Sequence, residues 1–297
     1  MTRLPLTFAI GMYPQLDERV RGSLLSEFAA NGAEFLVLTA DMIYKILTDP
    51  PYADGLLKEV TSAGLAFLDA HGPFMGISDL CYPEEKYRRS LLLRHLTSLN
   101  IAADFGLRTY TLHSGGDFRF PEYTESQLMD EIRRKLDVLL PEAEKLDLTI
   151  CLENGMPKLC YPDRLLTLKK EYPTPNLGFC YDSGHANVMD RGRNYENSLP
   201  KRNYAGSGYE IEWEDRALEK MLPHIVNCHL HDNDGSEDSH LLPGDGNIDW
   251  EKTMSRLKQA PRLQVIQSEV KFPRDNLSVR RLCETFRQLL KQGDSHE

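Results

Sequence analysis

The chain lacks several features that would point it towards other classes. Its six cysteines include no CxxC pair and follow no regular spacing, so neither a disulfide framework nor a paired-thiol motif organises it. No apolar run reaches the roughly 18 residues of a membrane span. The start, Met1-Thr2-Arg3-Leu4-Pro5-Leu6, enters a strand without the apolar stretch of a signal peptide. There is no Ser/Gly-rich linker, no low-complexity tract and no sign of a second domain. Positive charge is in deficit: 35 Lys and Arg face 45 Asp and Glu, a net charge of −10. Proteins that grip nucleic acid usually carry a basic face, because phosphate contacts supply most of the affinity, and this balance weighs against such a partner. The short basic clusters (Lys86 to Arg89, Arg133 to Lys135, Lys169-Lys170, Arg280-Arg281) fall on helix-like segments and read as solvated faces.

What is present is a soluble globular composition, 41% hydrophobic and 27% charged, in 297 residues, enough for one large α/β barrel or two ordinary domains. Cys151, Cys180 and Cys228 lie inside strand-like runs, as reduced buried thiols of a cytoplasmic protein would. Strand-like segments occur at Leu6 to Gly11, Glu34 to Leu38, Leu65 to His71, Arg108 to His113, Leu148 to Glu153, Leu177 to Asp182, Ile225 to Leu230 and Leu263 to Glu269. Amphipathic stretches alternate with them: Glu18 to Asn31, Tyr52 to Ala63, Glu84 to Phe105, Thr124 to Leu146, Pro162 to Glu171, Trp213 to Leu222, Trp250 to Gln259 and Asn276 to Gln292. In the third, Leu92, Leu96, Leu99 and Ala103 recur at helical spacing. Eight β-then-α units predict a single (β/α)8 TIM barrel over residues 1–297. The polar stretch from Asn187 to Asp215 reads as an enlarged loop after strand 6, serving as a lid, an oligomer contact or an ordered spacer.

Ligand-capable side chains concentrate at the ends of these strands. His71, His113, Glu153, Asp182 with His185, His229 with His231, and Glu269 each close a strand, and Asp238 and His240 follow before a glycine-rich turn. A barrel brings strand ends to one face, where imidazoles and carboxylates would meet a shared Zn, Mn, Co or Mg ion. Each residue alone has a structural reading as a cap or salt-bridge partner. The set is harder to dismiss, because barrel interiors do not hold unpaired carboxylates without compensating charge. Alternation puts Cys151, Cys180 and Gln267 one inward step below Glu153, Asp182 and Glu269. His95, His224 and His296 lie on helix-like or terminal segments and read as structural or solvated, and Lys271 as snorkelling or ion-paired.

In order and spacing, Leu152-Glu153-Asn154, Asp182-Ser183-Gly184-His185-Ala186, His229-Leu230-His231-Asp232-Asn233, the turn from Pro243 to Trp250 and Glu269 resemble the xylose isomerase-like TIM-barrel superfamily of sugar isomerases, epimerases and dehydratases, which also includes endonuclease IV. The resemblance implies that Glu153, Asp182, His229 and Glu269 hold one divalent ion. It also implies that Glu153 and Glu269 are the catalytic acid and base, moving a proton beside a carbonyl through a metal-stabilised enediolate. His185 and His231 would contact substrate. Where the ketose 3-epimerases carry an arginine shortly after the strand-seven histidine, this chain has Asp238 and His240.

The resemblance carries an alternative. Endonuclease IV holds up to three zinc ions on nine ligands, with counterparts by position in His71, His113, Glu153, Asp182, His185, His229, Asp238, His240 and Glu269. That would make the protein a trinuclear phosphodiesterase acting on abasic DNA. Lesser alternatives are a metal-dependent dehydratase of a cyclic polyol or keto-acid and a non-catalytic sugar-binding barrel. The leading expectation is a metal-dependent sugar, sugar-phosphate or polyol isomerase or epimerase with a small sugar-like substrate and no membrane partner, leaving a homo-oligomer open.

Overall fold

Eight short strands pair side by side, each parallel to the next, and the eighth returns to the first to close a barrel. The computed structural model describes residues 4–274 and 276–292, so His296 lies outside the described residues. The strands are β1 (Leu6–Phe8), β2 (Phe35–Leu38), β3 (Ala66–His71), β4 (Thr109–Leu112), β5 (Thr149–Glu153), β6 (Leu177–Asp182), β7 (Ile225–Leu230) and β8 (Val265–Ser268). The helices are α1 (Glu18–Ala30), α2 (Ala40–Thr48), α3 (Tyr52–Ser62), α4 (Glu85–Asp104), α5 (Glu125–Lys145), α6 (Pro162–Glu171), α7 (Ser183–Arg191), α8 (Leu199–Tyr204), α9 (Ala217–Met221), α10 (Trp250–Leu257) and α11 (Val279–Leu289). This is the expected single (β/α)8 barrel, with short helices added to the basic repeat. Among the described residues no helix is long and apolar enough to cross a membrane.

Parallel strands covered by helices are buried on both faces, and alternation then assigns each side chain a layer. Leu36, Leu38, Tyr110, Leu152, Phe179, Cys228 and Leu230 belong to the large apolar core shared with the helices. The barrel interior is more polar: Asn227 Nδ2 donates across it to Asp69 Oδ2 (3.2 Å) and to Thr111 Oγ1 (3.3 Å). Cys151 and Cys180 sit with Val226 in a small separate cluster, and all six cysteines are free and buried.

The pairing of β6 with β7 slips by one residue between Phe179 and Cys180, leaving Val226 without a partner. A bulge of this kind bends the strand and re-aims its side chains. Here it turns Val226 over Gly178, where a Cβ would run into the valine's side chain.

Several sequence expectations are corrected. The stretch from Asn187 to Asp215, read as one enlarged loop, holds helical pieces: α7 starts directly after β6 and runs to Arg191, and α8 follows, with turns and bends between and after them. Its polar surface hides the helices because short amphipathic turns bury few residues each. α2 was not anticipated, and the helix expected from Trp213 to Leu222 is shortened to α9 and a 3-10 turn. On α4 Leu99 is fully buried and Leu92, Leu96 and Ala103 pack partly buried against the core, as their spacing suggests, while Leu91, His95, Ser98 and Ala102 widen the buried face. His95 is therefore fully buried, its Nε2 2.8 Å from Ser78 O, and burial pushes its pKa down to about 4. Nor is the Arg133 to Lys135 cluster wholly solvated. Lys135 is buried, donating to Glu131 Oε2 (2.9 Å) and Tyr82 O (2.8 Å).

The bulge yields a stability test. Gly178→Ala should cost about 1–3 kcal/mol through overpacking against Val226, read as a lower urea midpoint. Adding Val226→Ala should recover much of the loss. Failure of the second substitution to compensate would remove the steric account.

Candidate metal centre and substrate cavity

The strand ends deliver a ring of acidic and imidazole side chains to one end of the barrel. Glu153 ends β5, Asp182 ends β6, His229 lies one residue from the end of β7 and Glu269 directly follows β8. One donor atom from each lies within 4.8 Å of all the others. His229 Nδ1 is 3.4 Å from Glu153 Oε1 and 3.3 Å from Glu269 Oε2, yet neither ring nitrogen of this fully buried residue has a hydrogen bond of good geometry. Polar atoms left bare at such a depth are costly unless something supplies their missing partner.

Further donors surround this inner set. His71 Nε2 is 3.2 Å from His113 Nε2, and both face Glu153 Oε2 at 3.4 and 3.0 Å. His185 Nε2 and His240 Nε2 converge on Asp238 Oδ2 at 3.3 and 3.2 Å, and Asp238 Oδ1 is bare. Three of these rings share one arrangement. His71 Nδ1 lies 2.9 Å from Gly72 O, His185 Nδ1 2.9 Å from Asn154 O, and His240 Nδ1 2.7 Å from Glu269 O. Only a protonated Nδ1 can donate to a carbonyl, so in the neutral tautomer each Nε2 presents its lone pair to the cluster. Outer hydrogen bonds that fix the tautomer and tilt of an imidazole in this way are usual for metal-ligating histidines. The donor set fits a divalent metal: nitrogens and carboxylates converge, orphan atoms point inward, and histidines are pre-oriented.

The loops carrying the outer donors are fixed from below. Asp232 is buried; its Oδ1 accepts from Asn233 N (2.9 Å) and Ile248 N (3.2 Å), its Oδ2 from Gly244 N (2.8 Å) and Trp250 Nε1 (2.8 Å). Asp232 and Leu241 also exchange backbone hydrogen bonds of 2.8 Å. One carboxylate thus closes the segment between His231 and Trp250 and presents Asp238 and His240. Gly246 passes so close that a Cβ would strike the Asp232 carboxylate. His240 adopts a left-handed backbone (φ 46°), an unfavourable conformation for a non-glycine residue, and its ring stacks on His231 at 3.9 Å.

His231, expected to contact substrate, stands behind Asp182. It is fully buried, with Nε2 3.1 Å from Asp182 Oδ2, and its ring fills the space where a Cβ on Gly184 would fall. Asp182 is shared in another way, its Oδ1 accepting from His185 N (2.6 Å) as the N-cap of α7. Lys271 is exposed, and its backbone N–H donates to His240 O (3.0 Å). His224 is half-buried and packs edge-on against Phe179.

Above the donors opens a cavity of about 540 Å³. His71, His113, Glu153, His185, Asp238, His240 and Glu269 line its floor, and Leu199 and Asn203 of α8 form part of its wall. Phe74, Phe118, Arg119 and Asn203 border it without having been singled out in the sequence. They carry no metal-binding signature, and only the loop geometry brings them here.

Electrostatics follow from burial. Burial opposes charge on Glu153, but His229 and His113 hold it well below the usual carboxylate range. Burial likewise opposes the charge of Asp238 and Glu269, which His185 and His229 respectively hold low. Burial disfavours charge on the imidazoles too, yet Asp182 and Asp238 lift His185 well above its ordinary value, Cys180 together with Glu269 and Glu153 lifts His229, and Asp238 raises His240 to about 9. His185, His229 and His240 therefore keep their protons at neutral pH, and an entering ion must displace them. Metal affinity should rise between pH 6.5 and 9, with proton release visible as a buffer-dependent binding enthalpy. An affinity flat over this window would contradict the picture.

Comparison with known proteins places this geometry in context. Residues 24–277 match the family described as xylose isomerase-like TIM barrel. Uncharacterized protein MJ1311 of Methanocaldococcus jannaschii is 27% identical over 172 residues, 56% of this chain and 52% of that protein. Uncharacterized protein y4fM of Sinorhizobium fredii is 26% identical over 158 residues, 52% and 44% of the two chains. The chain thus spans about half the length of the curated relatives it matches. Among solved structures, a D-tagatose 3-epimerase-like protein superimposes with a TM-score of 0.72 at 19% identity, covering 97% of this chain and 98% of that one. The 3-keto-D-glucoside 4-epimerase YcjR from E. coli gives 0.67 at 14% (96% and 98%), and the IOLI protein with a binding zinc atom 0.66 at 16% (97% and 97%). At such identities the likeness is one of fold. The family match runs from α1 to the segment before α11, and the chain belongs to the xylose isomerase-like TIM barrel family.

Proposed function

We propose that the protein is a divalent-metal-dependent isomerase or epimerase that moves a proton at the carbon beside the carbonyl of a small polyhydroxylated substrate. The observation that carries this reading is the placement of Glu153 and Glu269. They sit three strands apart in the barrel, so they approach the floor from nearly opposite sides, and both reach the same His229 nitrogen. A carboxylate on either side of a carbon is what removal of a proton from one face and its return to the other requires.

A bound ion would supply Lewis acidity towards neighbouring substrate oxygens and make the adjacent C–H more acidic. Glu153, Asp182, His229 and Glu269 would hold it, with His231 orienting Asp182 from behind. Both glutamates are held ionised at neutral pH, the form a general base must take. His185, on the cavity floor, would meet a substrate hydroxyl. Several solved relatives are named as sugar epimerases, which agrees with this chemistry. Dehydration of a cyclic polyol or keto-acid begins with the same proton removal.

One observation favours a second reading. The two outer groups, His71 with His113 on Glu153 and His185 with His240 on Asp238, have the composition of two further metal positions. A trinuclear zinc centre would suit phosphodiester hydrolysis. Metal content separates the two. About one ion per chain by elemental analysis supports the isomerase, whereas three zinc ions with cleavage of abasic-site DNA would establish the hydrolase.

Glu153→Gln and Glu269→Gln should each lower metal-dependent exchange of a substrate C–H with D2O by about 10²–10⁴-fold. Near wild-type exchange in either variant would sink the acid–base assignment.

A further inference from the structure

The cavity is built in two zones. Its floor is ionic, but its outer wall includes Phe74, Met75, Phe118, Met156, Pro157 and Leu199. The apolar zone begins directly at the donors, since the Phe74 ring lies 4.8 Å from that of His71 and 4.9 Å from that of His113. Phe118 is held edge-on by Tyr204 at 5.4 Å, and Tyr204 is anchored through Asp117 Oδ1 (3.0 Å). Met75 is 61% exposed and sits at φ 67°, ψ 149°, a backbone region few residues other than glycine enter. Asp79 Oδ1 holds it there by accepting from its N–H (2.8 Å). An exposed apolar side chain kept at the mouth against backbone strain is better explained by a ligand it touches than by packing.

The same wall argues against a phosphate. Among the described lining residues Arg119 is the one Lys or Arg, and its Nη1 is bound to Asp79 Oδ2 (3.1 Å). Asp79 is buried and linked to Met75, so Arg119 joins two loops rather than waiting for an anion. A phosphate here would face Asp79, Glu153, Asp238 and Glu269, whose charged partners are already Arg119 and the imidazoles of the floor, with no guanidinium or ammonium free of a carboxylate. The volume, about 540 Å³, lies within the roughly 300–1,000 Å³ of clefts that enclose drug-sized ligands and leaves room beyond a single sugar ring.

We infer that the substrate is a neutral keto-glycoside: a sugar ring carrying the ketone at the ionic floor, and an aglycone with a flat apolar face resting on Phe74 and Phe118. The inference rests on the proposed carbonyl chemistry for the ketone, and on the wall alone for the aglycone and the missing phosphate. Aromatic faces stack on the apolar faces of rings without demanding a particular hydrogen-bond pattern, so Phe118 is the specificity residue.

Non-reacting probes keep the two layers apart. Calorimetric titration of the Mn²⁺-loaded protein with phenyl β-D-glucopyranoside, D-glucose and D-glucose 6-phosphate should show the phenyl glucoside binding at least about ten-fold more tightly than glucose, and the phosphate no more tightly than glucose. Phe118→Ala and Phe118→Leu should bring the phenyl-glucoside-to-glucose affinity ratio close to one, and Phe118→Trp should keep it high. Tightest binding of glucose 6-phosphate, no advantage of the phenyl glucoside, or a ratio unmoved by the first two variants would overturn the inference. Absence of C–H exchange with any ketone, while the probe ranking holds, would instead sink the proposed reaction and leave the recognition of an apolar aglycone standing.

Discussion

The structure turns on one electrostatic constraint. Closing eight parallel strands into a barrel forces their C-terminal ends together, and this chain ends three of them with carboxylates and adds Asp238 from the loop after β7. Among the described residues no lysine or arginine comes within ion-pair distance of Glu153, Asp182, Asp238 or Glu269; their charged partners are imidazoles. Leaving a carboxylate buried and unpaired costs several kcal/mol. The cluster therefore needs positive charge from protons on histidine or from a metal cation. A histidine that serves as counterion in one state and as neutral ligand in the other satisfies both, which is why imidazoles surround these acids and long-chain cations do not.

Much of the surrounding sequence is explained as support for that exchange. Asp232 makes no contact with the cavity, yet its four hydrogen bonds determine where Asp238 and His240 stand. Gly184 and Gly246 leave room for His231 and Asp232, so the short Asp-Ser-Gly-His and Pro-Gly-Asp-Gly motifs encode space as much as chemistry. The left-handed backbone of His240 and its stacking on His231 show that a modest conformational cost is accepted to bring Nε2 to Asp238. Asp182 ties these levels together, capping α7 while it faces His229 and leans on His231.

The barrel and its strand-end donors were legible because both follow from period. Alternation within strands sorted Glu153 from Leu152 and Cys180 from Tyr181, and the eightfold recurrence of strand then helix implied closure. What escaped depends on contacts between distant segments. Whether His231 faces a ligand or backs Asp182 is decided by the absent side chain of Gly184, 47 positions earlier. Lys135 reads as one of three solvated cations, but α4 and the Tyr82 carbonyl close over it. α7 was masked because its first turn, Ser183-Gly184-His185, looks like a strand-end motif, while Asp182 is both the last strand residue and the helix cap. Phe74 and Phe118 carry no motif at all, and only folded loops turn them towards the donors.

The two chemistries this floor could serve are separated less by its ligands than by what stands above them. Nine nitrogen- and carboxylate-bearing residues suit one ion or three, and the outer pairs on Glu153 and Asp238 fit either extra metals or hydroxyls of a sugar. A phosphodiester in a DNA strand, however, must bring its neighbours with it, and a buried floor is reached only if the target nucleotide leaves the stack. Neutralising those neighbouring phosphates takes free basic side chains at the rim. Arg119 is tied to Asp79, and the wall around it carries phenylalanine, methionine and proline in a chain of net charge −10. Walls of that composition exclude water and favour a ligand that is apolar at its outer end. Exclusion of water raises the value of every charge on the floor. The same walls that weaken the case for a nuclease therefore strengthen the carboxylates in the proton transfer proposed for them.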